Sequence, residues 1–131
     1  MIGLDTNVLV RFLVDDDPEQ GRAARALFDR LTEGDPGFLS REVMIETVWV
    51  LERAYRFDRA QIAGALSGML DAAELVIEAG EDIALALERY RKGGAGMADH
   101  MIRIAADRAG CATVYTFDRK AAAQGGMTLL T

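Results

Sequence analysis

The chain is poor in the residues that carry most thiol and imidazole chemistry. Its one cysteine, Cys111, cannot close an internal disulfide, and a reducing cytoplasm is the natural compartment for such a chain. Cys111 is expected to open a strand as a small core residue. Its one histidine, His100, falls opposite the apolar stripe of its helix and is expected on the surface. With one of each, no zinc-ligand spacing exists, and Ser-His-Asp or Cys-His catalysis has no support. There are only two prolines, no Pro-rich or Ser-rich linker and no repeat at a solenoid period. No glycine-rich phosphate loop follows a strand. Gly93-Gly94-Ala95-Gly96 precedes a helix but lacks the lysine and spacing of such a loop. Charge breaks the longest apolar stretches within about ten residues, too few to span a bilayer. No basic leader precedes Met1-Ile2-Gly3-Leu4, and Asp5 and Arg11 interrupt that stretch, so no signal peptide is expected. Lysine is scarce as well: Lys92 and Lys120 are the only two among 15 basic residues. Arginine suits phosphate contacts and carboxylate pairing alike.

What is present is a chain of 131 residues, half of them hydrophobic and 27% charged. That composition fits one globular domain over residues 1–131. A net charge of −6 argues against a general nucleic-acid coating protein, but an acid cluster that holds cations would itself contribute to it.

The pattern alternates short strands with helices. Residues 1–4 read as a strand, and Val8, Leu9, Phe12 and Leu13 as a helical stripe. Asp17 and Pro18 form a helix start, followed by Ala24, Leu27, Phe28 and Leu31 at helical spacing. Phe38-Leu39 reads as a strand. Ser40 caps a helix running to about Arg56 with an inner stripe of Val43, Thr47, Val50, Leu51 and Ala54. Asp58 to Gln61 resembles a capping box, with Ile62, Leu66, Met69 and Leu70 beyond it. Residues 74–77 read as a strand, and Ile83, Ala86, Leu87 and Tyr90 as a helix. A further stripe is Ala98, Met101, Ile102, Ala105, Ala106 and Ala109, closed by Gly110. Residues 112–117 form the best strand, followed by a short helix from Arg119 to Gln124 and a last strand, Met127 to Leu130. The fold class expected is α/β, with a mostly parallel central sheet of about four to five short strands flanked by helices.

Four acids stand where this patterning predicts apolar surroundings. Asp5 and Asp118 each follow a strand, Asp99 begins a helix, and Glu46 is the only charge between Val43 and Leu51. A carboxylate against a core is costly unless it is paired or holds a cation. The carboxyl ends of parallel strands are where open sheets bind ligands, so Asp5 and Asp118 converge there if their strands are neighbours, and Asp99 can face the same crevice. Asp5, Asp99 and Asp118 each have a competing role as a helix cap. Glu46 lies too far into its helix for that, though Arg41 or Arg53 offers it an ion pair. Glu42, one turn earlier, is a candidate outer residue. An all-carboxylate set favours a hard cation, Mg²⁺ or Mn²⁺, and such ions serve phosphoryl-transfer and phosphodiester chemistry.

At these positions the chain resembles a known family. Asp5-Thr6-Asn7-Val8-Leu9-Val10 is similar to the opening of PIN-domain ribonucleases, specifically the VapC-type toxins of toxin–antitoxin pairs. Glu46-Thr47-Val48-Trp49-Val50-Leu51, Ala98-Asp99-His100-Met101-Ile102 and Tyr115-Thr116-Phe117-Asp118-Arg119 resemble the next three motifs, in order. The resemblance implies a single PIN-like domain, a Mg²⁺- or Mn²⁺-dependent endoribonuclease, a homodimer and a small antitoxin partner. It carries over Asp5, Glu46, Asp99 and Asp118 as the metal-binding and catalytic acids. Thr6 or Asn7 and Thr116 would support them by hydrogen bonds. Cleavage would proceed by in-line attack of metal-activated water and leave a 5′ phosphate, with Arg11, Arg119 or Lys120 steering the phosphate backbone. Many relatives carry Asp-Phe before the third motif, where this chain has Gly96-Met97. The missing acid bears on a second metal rather than on the core site.

Two other classes share some of these features. A receiver-type phosphoacceptor domain is also small, acidic and α/β, but it needs a second acid beside Asp5, where Thr6 stands, and a lysine ending a strand, whereas Lys120 lies beyond one. A non-catalytic module could use the same acids to pair with a partner's arginines.

Overall fold

Helix starts are the most strongly encoded feature of the chain. In the computed structural model, which describes all of residues 1–131, α2 (Pro18–Asp29) has Asp17 as its N-cap, accepting from Gln20 N–H, with Pro18 in the first turn. Helix α3 (Arg41–Arg53) is capped by Ser40 through Val43 N–H. Helix α4 (Arg59–Leu70) has the full reciprocal box between Asp58 and Gln61. Each cap satisfies backbone donors that the helix cannot satisfy itself.

The chain divides into two compact units, Met1–Gly80 and Glu81–Thr131. In the first, strands β1 (Ile2–Gly3), β2 (Gly37–Leu39) and β3 (Leu75–Ile77) form a parallel sheet in that order. Ile2 stands opposite Gly37, and Phe38 opposite Val76. Helices α1 (Thr6–Leu13) and α2 connect β1 to β2, and α3 and α4 connect β2 to β3. Such crossovers are what parallel neighbours require. Leu9, Leu39, Met44, Val48, Leu51, Ile62 and Leu66 are buried essentially completely, each stabilising the fold by roughly 1.5–3 kcal/mol. Phe12 and Phe28 stack with ring centroids 3.9 Å apart, tying α1 to α2. Gly37 sits where a side chain does not fit, since a Cβ there would lie 2.8 Å from Leu4 Cδ1 and 2.9 Å from Leu31 Cδ1.

The second unit contains α5 (Gly80–Arg91, with its first residue at the boundary), α6 (Met97–Arg108), β4 (Tyr115–Thr116), α7 (Arg119–Gln124) and β5 (Thr128–Leu129). Strands β4 and β5 pair in parallel across α7. Ile83, Ala86, Leu87 and Tyr90 are the buried face of α5, as the periodicity predicts. Every strand pairing is thus parallel, with three strands in one sheet and two in the other.

Several expectations need correction. The strand expected over 112–117 is only Tyr115–Thr116. Cys111 lies before it, exposed, and is not a core residue. Helix α3 buries Met44, Thr47, Val48 and Leu51 rather than a stripe centred on Val43 and Val50. Helix α6 buries Met97, His100, Met101 and Ile104, while Ile102 is 51% exposed. His100 is therefore a buried residue at 4% exposure, not a surface one.

Candidate active site

Strand β1 ends one residue before the buried Leu4, and Asp5 follows at the start of α1. Asp5 is the N-cap: Oδ1 accepts from Val8 N–H at 3.0 Å. Asp118 follows β4 in the same way and caps α7, where Oδ1 accepts from Lys120 N–H at 2.8 Å and Ala121 N–H at 3.0 Å. Its own N–H donates to Thr116 Oγ1 at 3.0 Å, which fixes the turn out of β4. In both aspartates one carboxylate oxygen serves the helix and the other takes part in no hydrogen bond. Asp99, in the first turn of α6, reaches back with Oδ2 to Gly96 N–H at 3.3 Å.

Glu46 lies in the second turn of α3, beyond any capping role, and enters no ion pair with Arg41 or Arg53. Arg41 pairs instead with Glu78, while the Arg53 guanidinium lies 5.6 Å from the centroid of the Trp49 ring. Trp49, one turn after Glu46, is 58% exposed.

These acids do not press against a core. Asp5, Glu46 and Asp118 are exposed and Asp99 is half-buried. The apolar residues that suggested burial are themselves open to solvent, with Phe117 at 73% and Tyr115 at 63%. The desolvation argument for a cation therefore fails, and the case rests on donor chemistry and position. Asp5 and Glu46 belong to the first unit, Asp99 and Asp118 to the second. Within neither unit do three or more His, Cys, Asp or Glu side chains form a group that could hold an ion. The candidate donors are all carboxylate oxygens, several of them uncommitted, and that set fits a hard divalent cation and no soft one.

Around Asp5, Thr6 is buried, and Asn7 and Val8 line a cleft between α1 and α2 that also takes in Arg11 and Leu27. Arg11 is not free to follow a phosphate. Its Nε donates to Gln20 Oε1 at 2.7 Å and its Nη1 to Tyr55 Oη at 3.0 Å, with Asp16 Oδ1 3.4 Å away. The Tyr55 hydroxyl donates to Asp16 Oδ2 at 2.7 Å. That bond to Asp16 raises the Tyr55 pKa above its ordinary value near 10. Arg119 and Lys120, by contrast, are exposed directly after Asp118. The sequence reading did not single out Trp49 or the Arg11–Tyr55–Asp16 network. A lone tryptophan in an apolar run reads as core, and the network spans 39 residues between Asp16 and Tyr55.

Residues 2–126 match the model of the PIN-domain family. The chain belongs to the PIN-domain family. This PIN domain is also similar to the VapC ribonuclease of Aquifex aeolicus (strain VF5), at 29% identity over 118 residues, 89% of this chain and 87% of that protein. Among solved structures it matches Mycobacterium tuberculosis VapC20, described as a sarcin-ricin loop cleaving toxin. There the TM-score is 0.47 and the identity 20%, over 98% of this chain and 97% of that one. No helix of this PIN domain is long and apolar enough to cross a membrane.

Proposed function

We infer that this PIN domain, over residues 1–131, is an endoribonuclease that depends on a divalent cation and acts as the toxin of a VapBC-type toxin–antitoxin pair. The observation that carries this reading is the 29% identity to a VapC ribonuclease over nearly the full length of both chains, within a family match over residues 2–126. The cation would be Mg²⁺ or Mn²⁺, and Asp5, Glu46, Asp99 and Asp118 are the carboxylates that would hold it. When bound, such an ion acidifies water and offsets charge on the scissile phosphodiester.

The protein's own residues supply position. The α1 and α7 caps orient Asp5 and Asp118, and Thr116 fixes the backbone that carries Asp118. Thr6 or Asn7 would support Asp5 by a hydrogen bond. Arg119 and Lys120, in the first turn of α7, steer the phosphate backbone toward Asp118. The chemistry proposed is in-line displacement by water that leaves a 5′ phosphate. The remaining partners are a cognate antitoxin that occupies the site and a second copy of the chain, and the protein works in the cytoplasm.

The test is purified protein incubated with a pool of cellular RNAs in Mn²⁺, in chelator, and as Asp99→Asn. Cleavage is expected only for the parent with metal. Equal cleavage in chelator would overturn the metal-dependent reading, and no cleavage of any RNA would overturn the enzyme.

A further inference from the structure

We propose that the cleft between the end of α5, the face of α6 and the turn before β5 binds a phosphate group of the RNA strand. This rests on the RNA-cleaving reading above and extends it to a site away from the four acids.

Charge is divided unevenly along the chain. Residues 1–80 hold 15 acidic and eight basic side chains, whereas residues 81–131 hold six acidic and seven basic. The whole negative excess therefore belongs to the first unit, and an asymmetry of this kind points to an anionic partner for the second. Within the second unit a cleft of about 410 Å³ is lined by Arg89, Lys92, Arg103, His100, Asp107 and Gln124. Three cations meet one carboxylate there. Asp107 is committed to Arg103, accepting from its Nε at 2.9 Å. Gly126, at φ +71°, makes room for that guanidinium, since a Cβ there would stand 2.8 Å from Arg103 Nη1. Arg103 is thus held on one side by a carboxylate and lies close against backbone on the other.

Arg89 enters no ion pair. Lys92 has only Glu88 at 3.9 Å, with both side chains largely in solvent, and a pair of that kind contributes little. Placing basic residues in the last turn of α5 complements the helix dipole. The dipole does not explain why Arg103, mid-way along α6, lines the same cleft. One fixed guanidinium, two exposed cations and the Gln124 amide make a donor-rich cleft. Mutual repulsion among those cations is relieved by an anion with several acceptor oxygens, and phosphate is that anion.

The test uses the full chain carrying Arg89→Ser together with Lys92→Ser. Both residues are exposed, so the melting temperature should fall by no more than a few degrees, the share of the helix-dipole term at Arg89. Binding of a fluorescein-labelled single-stranded RNA oligonucleotide, with chelator present to stop cleavage, is followed by anisotropy across a salt series. The double variant should bind several-fold more weakly, and its slope of log Kd against log salt should be shallower by about 0.7, the share of the one lost phosphate contact. In Mn²⁺ its kcat/KM should fall mainly through KM. An unchanged slope with unchanged KM would overturn the proposal while leaving the nuclease reading intact. A parent that binds RNA with the steeper slope yet never cleaves would sink the nuclease and keep the cleft. If pyrophosphate binds the parent but not the double variant, while the RNA slope is the same for both, the cleft takes a free anion and the RNA assignment falls.

Discussion

Replacing Asp118 with asparagine and with alanine separates two roles that one side chain holds. Its Oδ1 accepts from Lys120 and Ala121 N–H, and asparagine accepts the same bonds. It is as good an N-cap as aspartate, so Asp118→Asn loses only the charge–dipole contribution, about 0.5 kcal/mol at an exposed end. Alanine leaves both N–H groups to water and costs about 1 kcal/mol more. At roughly 3–5 °C per kcal/mol for a chain of this size, metal-free Asp118→Asn should melt within about 2 °C of the parent and Asp118→Ala about 4–7 °C below it. Activity should follow the opposite logic. If Asp118 holds the cation, both variants lose transition-state charge stabilisation, and about 3 kcal/mol corresponds to ~10²-fold in rate. Differential scanning fluorimetry with and without millimolar Mn²⁺, beside cleavage of a fluorescent RNA, reads both. The parent should gain stability from Mn²⁺, and Asp118→Asn should gain much less. An Asp118→Asn protein that cleaves at the parental rate and keeps the metal-induced shift would show that Asp118 is a cap and nothing more.

Other consequences are testable one at a time. Tyr55→Phe removes a hydroxyl that bridges Arg11 and Asp16 and should lower stability by about 1 kcal/mol in urea titration. Because the folded pKa of Tyr55 is raised, the parent's advantage over Tyr55→Phe should be constant below pH 10 and disappear as pH rises through the folded value; an advantage that grows above pH 10 would contradict the hydrogen-bond assignment. Gly37→Ala places a methyl against Leu4 and Leu31 and should cost about 1–3 kcal/mol by overpacking, read as a lower urea midpoint. Leu51→Ala, at a fully buried position, should cost about 2–5 kcal/mol. Cys111 is exposed, so an aromatic disulfide reagent should titrate it in the native protein; reaction only after denaturation would refute its placement.

Reading the chain alone recovers local structure where a single residue type does a single job. Asp17 with Pro18, Ser40, and Asp58 with Gln61 mark helix starts, and each caps its helix as expected. The α5 stripe is also legible, because Ile83, Leu87 and Tyr90 leave one apolar face. Helix phase is lost where the pattern is degenerate. Helix α3 is apolar nearly all round, from Val43 through Leu51, so several stripes fit it equally well. Helix α6 carries alanines on both faces and buries a histidine, which a count of apolar residues places on the wrong side. The acids at strand ends were legible in position but not in environment. Tyr115 and Phe117 imply burial by their type, yet both are exposed, and with them the inference that Asp118 sits in a core.

The double duty of Asp5 and Asp118 constrains what can replace them. Each has one oxygen within about 3 Å of the backbone amides of its own helix, and the remaining oxygen is aimed by that anchorage. Glutamate carries the same charge on a side chain one methylene longer, and it is a poor cap. Asp118→Glu would therefore unhitch the side chain from α7 and let its tip wander. At these two places the molecule is selective for length as much as for sign.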